Sequence, residues 1–159
     1  MDEMERGERA RSNFLRGYNC AQSVVVAFGD VFEEHGVDVD VAARMASPFG
    51  GGMGRMREVC GAVSGMLMVL GIVEGYDEPK AFAAKKELYA RVQELAGRYR
   101  SENGSIVCRE LLGLGVGPDA PTPERRTEAY YRKRPCADLC ACAASIVAER
   151  LATSPTPRG

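Results

Sequence analysis

Apolar residues recur at helical spacing through most of this chain, and no stretch alternates with the period of two that a strand requires. The opening segment, Asp2 to Arg16, is charged and helix-compatible, with Phe14 and Leu15 its first sizeable apolar pair. Asn19 is a good N-cap for a second helix, in which Val24, Val25, Phe28, Val31 and Phe32 carry the stripe to about His35 before Gly36 ends it. Asp38 or Asp40 then caps a short helix, Val41 to Ala46. A loop follows, Ser47 to Arg55, with glycine at 50, 51, 52 and 54. Beyond it, Cys60 to Ile72 is apolar on nearly every side, the pattern of a buried central helix; Gly61, Ala62, Ser64 and Gly65 would let neighbours approach closely.

The second half continues in the same mode. Asp77 and Pro79 look like a helix start, and Phe82, Leu88, Val92, Leu95 and Tyr99 form an amphipathic stripe. Gly104-Ser105 is expected to open a short helix through Leu112, closed by Gly113. Residues 113–123 read as a loop, and Thr122-Pro123-Glu124 as the start of a helix running to about Lys133. Pro135 introduces the last helix, Cys136 to Leu151. The expectation is an all-α fold: a compact, single-domain bundle of about six or seven helices over residues 1–152, with a disordered tail from 153.

Length and composition narrow the class. A chain of 159 residues can bury its own core as one domain. Its hydrophobic share of 45 % and charged share of 27 % are those of a soluble globular protein. The net charge of −1 leaves no global footprint for nucleic acid. No apolar run reaches the roughly 18 residues of a membrane span, and the first residues lack a signal-peptide stretch, so a cytoplasmic location without membrane insertion is expected.

That location changes how six cysteines are read. In a reducing compartment they point to metal binding or catalysis, or to simple burial, rather than to structural disulfides. One histidine and no paired-histidine spacing disfavour a histidine-based metal site. Cys20, Cys60, Cys108 and Cys136 each fall near an expected helix start, where unpaired N–H groups and the macrodipole favour a thiolate. Packing alone gives no reason for four helix starts to carry the same residue, although any single cysteine is as readily a small buried hydrophobe. Cys140 lies one turn after Cys136 and can share its face as an auxiliary thiol. Cys142 sits about 200° from Cys140 and is assigned to packing.

Here the residues reach a resemblance. Cys60-Gly61-Ala62-x-x-Gly65, an upstream cysteine in Asn19-Cys20-Ala21-Gln22, and Cys108 and Cys136 downstream resemble the C_GCAxxG_C_C family of redox-active proteins. The glycine loop before the motif is similar as well, and the likeness runs from about Asn13 to Leu151. Cys140 and Cys142 are additions that the four-cysteine pattern does not require. The resemblance implies redox activity at these four cysteines without naming a substrate.

Three chemistries remain open. Four thiolates are a standard ligand set for an iron–sulfur cluster, which would make Cys20, Cys60, Cys108 and Cys136 metal ligands. Without a cofactor, the same four would be redox thiols, with Arg55, Arg57 or Arg109 lowering a thiol pKa. A structural zinc site ranks last, because zinc ligands usually come in close pairs. Gly51, Gly52, Gly54 and Arg55 could cradle an anionic group of a cofactor, but the loop matches neither phosphate-binding glycine motif. The favoured role of its glycines is to pass close to the central helix and the sulfur site. The partner expected is a redox protein or a small thiol or electron donor, and a homodimer is compatible with the size.

Overall fold

A computed structural model describes residues 1–153. It is all-α: six of its helices run eight residues or more, and the described residues contain one isolated β-bridge and no strand. No described helix is long and apolar enough to cross a membrane. The expected tail, apart from Thr153 at the end of the last helix, lies outside the described residues.

Helix α1, Glu3–Leu15, starts where Asp2 and Glu5 satisfy one another's backbone N–H groups in a capping box. It packs lengthwise on the last helix, α10, Cys136–Thr153, and against α2, Cys20–Ala27. Arg6 reaches out of α1 through the apolar interior. Its guanidinium lies over the Phe28 ring, takes the Ala27 carbonyl at 2.8 Å and forks onto Asp30 at 2.6 and 2.9 Å.

That contact explains a departure from the expected single helix over residues 20–35. The helix breaks at Phe28 (φ −114°, ψ 25°) into α2 and α3, Gly29–Glu34. At the break, the Ala27 carbonyl bonds the arginine. Asp38, one of the two expected caps, starts α4, Val39–Ala46, two residues ahead of the expected Val41.

The central helix α6, Gly61–Glu74, buries Val63, Met66, Val69 and Leu70. A side chain at Gly61 would meet the Phe49 carbonyl at 2.8 Å, and one at Gly65 the Ala21 carbonyl at 2.6 Å. The two glycines of the Cys-Gly-Ala-x-x-Gly run thus form one i, i+4 face against which the α2 backbone rests.

Helix α7, Phe82–Asn103, begins later than Asp77 suggested and ends at left-handed Gly104. Two expected starts are therefore corrected. Gly104 closes α7 rather than opening a helix, and α8 is only Cys108–Leu111. Residues 122–126 are not helical; Thr127 caps α9, Glu128–Lys133, because Arg126 is drawn away to bond the Phe14 and Tyr18 carbonyls.

Candidate functional site

Each of the four cysteines stands at a helix start. Cys20 is the first residue of α2, behind an Asn19–Gln22 capping box whose Asn19 amide also donates to the Ser47 carbonyl at 3.0 Å. Cys60 is itself the N-cap residue of α6; Cys108 opens α8 and Cys136 opens α10.

What gathers them is not visible in the helical pattern. Residues 57–60 and 106–109 run antiparallel, with a bridge between Val59 and Val107. Cys60 donates to the Ile106 carbonyl at 2.8 Å, Cys108 to Glu58 at 2.6 Å and Arg109 to Arg57 at 3.2 Å. This short stitch sets Cys60 beside Cys108. On the opposite side, α2 packs against α10, so that Cys20 and Cys136 line the same cavity. All four cysteines line one cavity of about 380 Å³.

The glycine loop forms another wall, to which Gly51, Gly52, Gly54 and Arg55 all contribute. After a 3-10 turn at Ser47–Phe49 comes a single turn, α5, Gly50–Met53, with Gly51 and Gly52 left-handed. Met53, Arg55 and Arg57 also have positive φ, at 68°, 67° and 59°. Such a run is costly for residues with a Cβ. It is held by bonds from Arg57 to the Gly51 carbonyl at 3.1 Å and from Glu58 to Gly52 at 3.0 Å. A Cβ on Gly52 would stand 2.7 Å from that of Cys108, so this glycine permits the loop's close approach to the thiol.

Arg57 is buried, donating to the Cys108 sulfur at 3.6 Å and to Asp119 at 2.7 Å. Of the three arginines considered from sequence, it is the one in contact with a thiol. Arg55 instead takes the Ala120 carbonyl and lies near Asp119, and Arg109 pairs with Glu58.

Burial opposes the thiolate that a helix start favours. It raises Cys60 to about 11, against the opposing pull of the Tyr99 hydroxyl (3.3 Å away) and the N–H groups of Ala62 and Val63. Burial also raises Cys108, countered by Arg57. The interaction with Cys136 favours the Cys20 thiolate, but interaction with Cys140 and burial together push Cys20 well above its ordinary range. Cys136 is raised by its interaction with Cys20 and then by burial.

Each thiol also feels the next: Cys60 acts on Cys20, Cys108 on Cys60, Cys136 on Cys108 and Cys20 on Cys136, every one raising its neighbour's pKa. Each thiolate would repel the next, so burial and neighbours together bias all four towards the neutral thiol. A cationic metal centre reverses that preference, which makes the donor set chemically suited to one. Among the described residues no group of three such donors stands close enough to hold a single metal ion.

The two remaining cysteines part company. The Cys140 thiol is fully buried and points to the Cys20 carbonyl at 3.7 Å. Cys142 faces α7, bonded to Glu102 at 2.9 Å and Asn103 at 3.4 Å, away from the cavity. Sequence reasoning missed Tyr99 as a sulfur partner, although a tyrosine on a buried stripe needs something for its hydroxyl. It also missed Arg126 and Arg134, which line the cavity.

Compared with known proteins, residues 18–150 match the model of the family described as "Putative redox-active protein (C_GCAxxG_C_C)". No curated protein and no solved structure matches the chain.

Proposed function

The chain belongs to the C_GCAxxG_C_C redox-active family, and from that premise we propose that it is an electron-transfer protein whose Cys20, Cys60, Cys108 and Cys136 thiolates hold an iron–sulfur cluster. The observation that carries this reading is the lining of one cavity by four thiols, each from a different helix start. When bound, such a cluster supplies one-electron transfer at a potential set by its charge, its burial and the donors around its sulfurs. The protein's part is to provide those donors. The Tyr99 hydroxyl and the N–H groups of Ala62 and Val63 face the Cys60 sulfur, and the Arg57 guanidinium faces Cys108. Arg134 and Arg126 add positive charge near Cys136.

A second reading is cofactor-free thiol–disulfide exchange, favoured by the placing of Cys20 and Cys136 on one cavity wall where α2 packs against α10. In it these two thiols lose two electrons and two protons to a disulfide of the partner, which leaves as two thiols. Either chemistry suits the reducing cytoplasm, with a redox protein or a small thiol as partner. Purification without oxygen, followed by iron, acid-labile sulfide and visible absorption, tests the proposal. Iron and sulfide in matching amounts support it, with Cys60→Ser abolishing both and Cys142→Ala retaining both. Zinc without sulfide, or no metal with a titratable Cys20–Cys136 disulfide, refutes it.

A further inference from the structure

We propose that the cavity lined by the four thiols also binds a small organic anion, its carboxylate held by Arg126. The argument starts from how that side chain is satisfied. Arg126 lies over the Phe14 ring at 4.2 Å and the Tyr130 ring at 5.0 Å. It donates once to the Phe14 carbonyl at 3.0 Å and once to the Tyr18 carbonyl at 3.1 Å. A guanidinium has five N–H donors in a planar fork, and these bonds use two of them. Among the described residues no carboxylate forms an ion pair with it.

The other arginines of the cavity differ in this respect. Arg57 and Arg55 share Asp119, at 2.7 and 3.8 Å, and Arg134 holds Glu124 at 2.5 Å. Four guanidiniums therefore face two carboxylates, and Arg126 is the one held in place by rings and backbone with its charge still available. Such a group is preorganised for a carboxylate, which accepts two parallel bonds from the fork.

The rest of the wall decides what kind of anion. Leu111, Leu112, Pro121 and Pro123 line the same cavity, so a ligand with a hydrocarbon body is matched better than a bare inorganic oxyanion. A volume of about 380 Å³ falls within the range of small-molecule sites. That this anion is the redox partner of the thiols rests on the reading above; its binding does not.

The test uses 4-bromobenzoate as the probe, with 4-bromobenzyl alcohol as its uncharged counterpart and inorganic phosphate as the bare anion. Calorimetric titration of the intact protein, purified without oxygen, is expected to show one saturable benzoate site. Binding of the alcohol should be weaker by about tenfold or more, as for loss of a charge-assisted pair. Phosphate should also bind less tightly than benzoate, and Arg126→Lys should lose about tenfold. In a crystal grown with the probe, the anomalous bromine peak should lie in this cavity, which locates the site even if the arginine variant fails to fold. Equal binding of the alcohol, tighter binding of phosphate, absence of saturable binding, or a bromine peak elsewhere overturns the proposal. Iron, sulfide and thiol content measured on the same sample keep the two claims apart. Benzoate binding without redox chemistry would sink the redox reading alone, and redox chemistry without benzoate binding would sink only this one.

Discussion

Replacing Gly65 with alanine probes the device that brings Cys20 to Cys60. The new methyl would stand 2.6 Å from the Ala21 carbonyl oxygen, 3.0 Å from the Val24 Cβ and 3.2 Å from the Ala21 Cα. Two of those atoms are backbone, so relief requires α2 to move off α6. Overpacking of this kind costs about 1–3 kcal/mol, and backbone neighbours place it at the upper end. Alanine's higher helix propensity returns about 1 kcal/mol, leaving a net loss of about 2 kcal/mol. Gly71, on the same helix, has nothing within 4 Å of its added Cβ. Gly71→Ala therefore keeps the propensity gain of about 1 kcal/mol without the clash. For a chain of this size about 1 kcal/mol corresponds to 2–4 °C, so thermal denaturation should show Gly65→Ala lower by about 4–8 °C and Gly71→Ala higher by about 2–4 °C. Gly65→Ala should also retain less iron and sulfide, because separating the helices separates the thiols. If the two substitutions raise the melting temperature alike, the close approach of α2 and α6 is not what the glycine serves, and the reasoning is wrong.

Other outcomes follow from the same geometry. Tyr99→Phe removes the hydroxyl 3.3 Å from the Cys60 sulfur; with a cluster bound, voltammetry should show a more negative potential, since a donor to thiolate stabilises the reduced, more negative state. In metal-free reduced protein, Cys60 is raised to about 11, so its alkylation rate should climb through that pH rather than near the ordinary thiol value of about 8.5. The sign for stability is the same: a thiol protonated more tightly in the folded state stabilises it fully below the unfolded pKa. That contribution is lost as pH rises through about 11, which alkaline denaturation measures. Arg6→Met deprives the Ala27 carbonyl and Asp30 of their partner and should cost about 2–3 kcal/mol in urea unfolding, less than a fully buried pair because Asp30 is half exposed. Wild-type stability should fall in acid as pH drops through the lowered pKa of Asp30, and Arg6→Met should show less of that loss.

Local sequence carries a good deal of this protein. The all-helical class follows from apolar spacing, and Asn19, Pro135 and the residues after the glycine loop mark helix starts that do carry Cys20, Cys136 and Cys60. Helical phase alone separates Cys142 from Cys140, and the structure has them on opposite faces, against α7 and Cys20 respectively. These features are legible because caps and periodicity involve residues three or four apart.

Tertiary contacts decided the remainder. Phe28 breaks a helix whose stripe runs straight through, where Arg6 from 21 residues upstream takes the Ala27 carbonyl. Residues 122–126 stay out of the helix, with Arg126 anchored to backbone more than 100 residues away. The stitch at Val59 and Val107, which sets Cys60 beside Cys108, is a pairing of single residues too short to leave a period in either segment. The same distance hides the thiols' chemistry. Composition marks them as candidates and helix starts favour their thiolates, yet burial and mutual repulsion, which exist only once four separate segments meet, raise their pKa values instead.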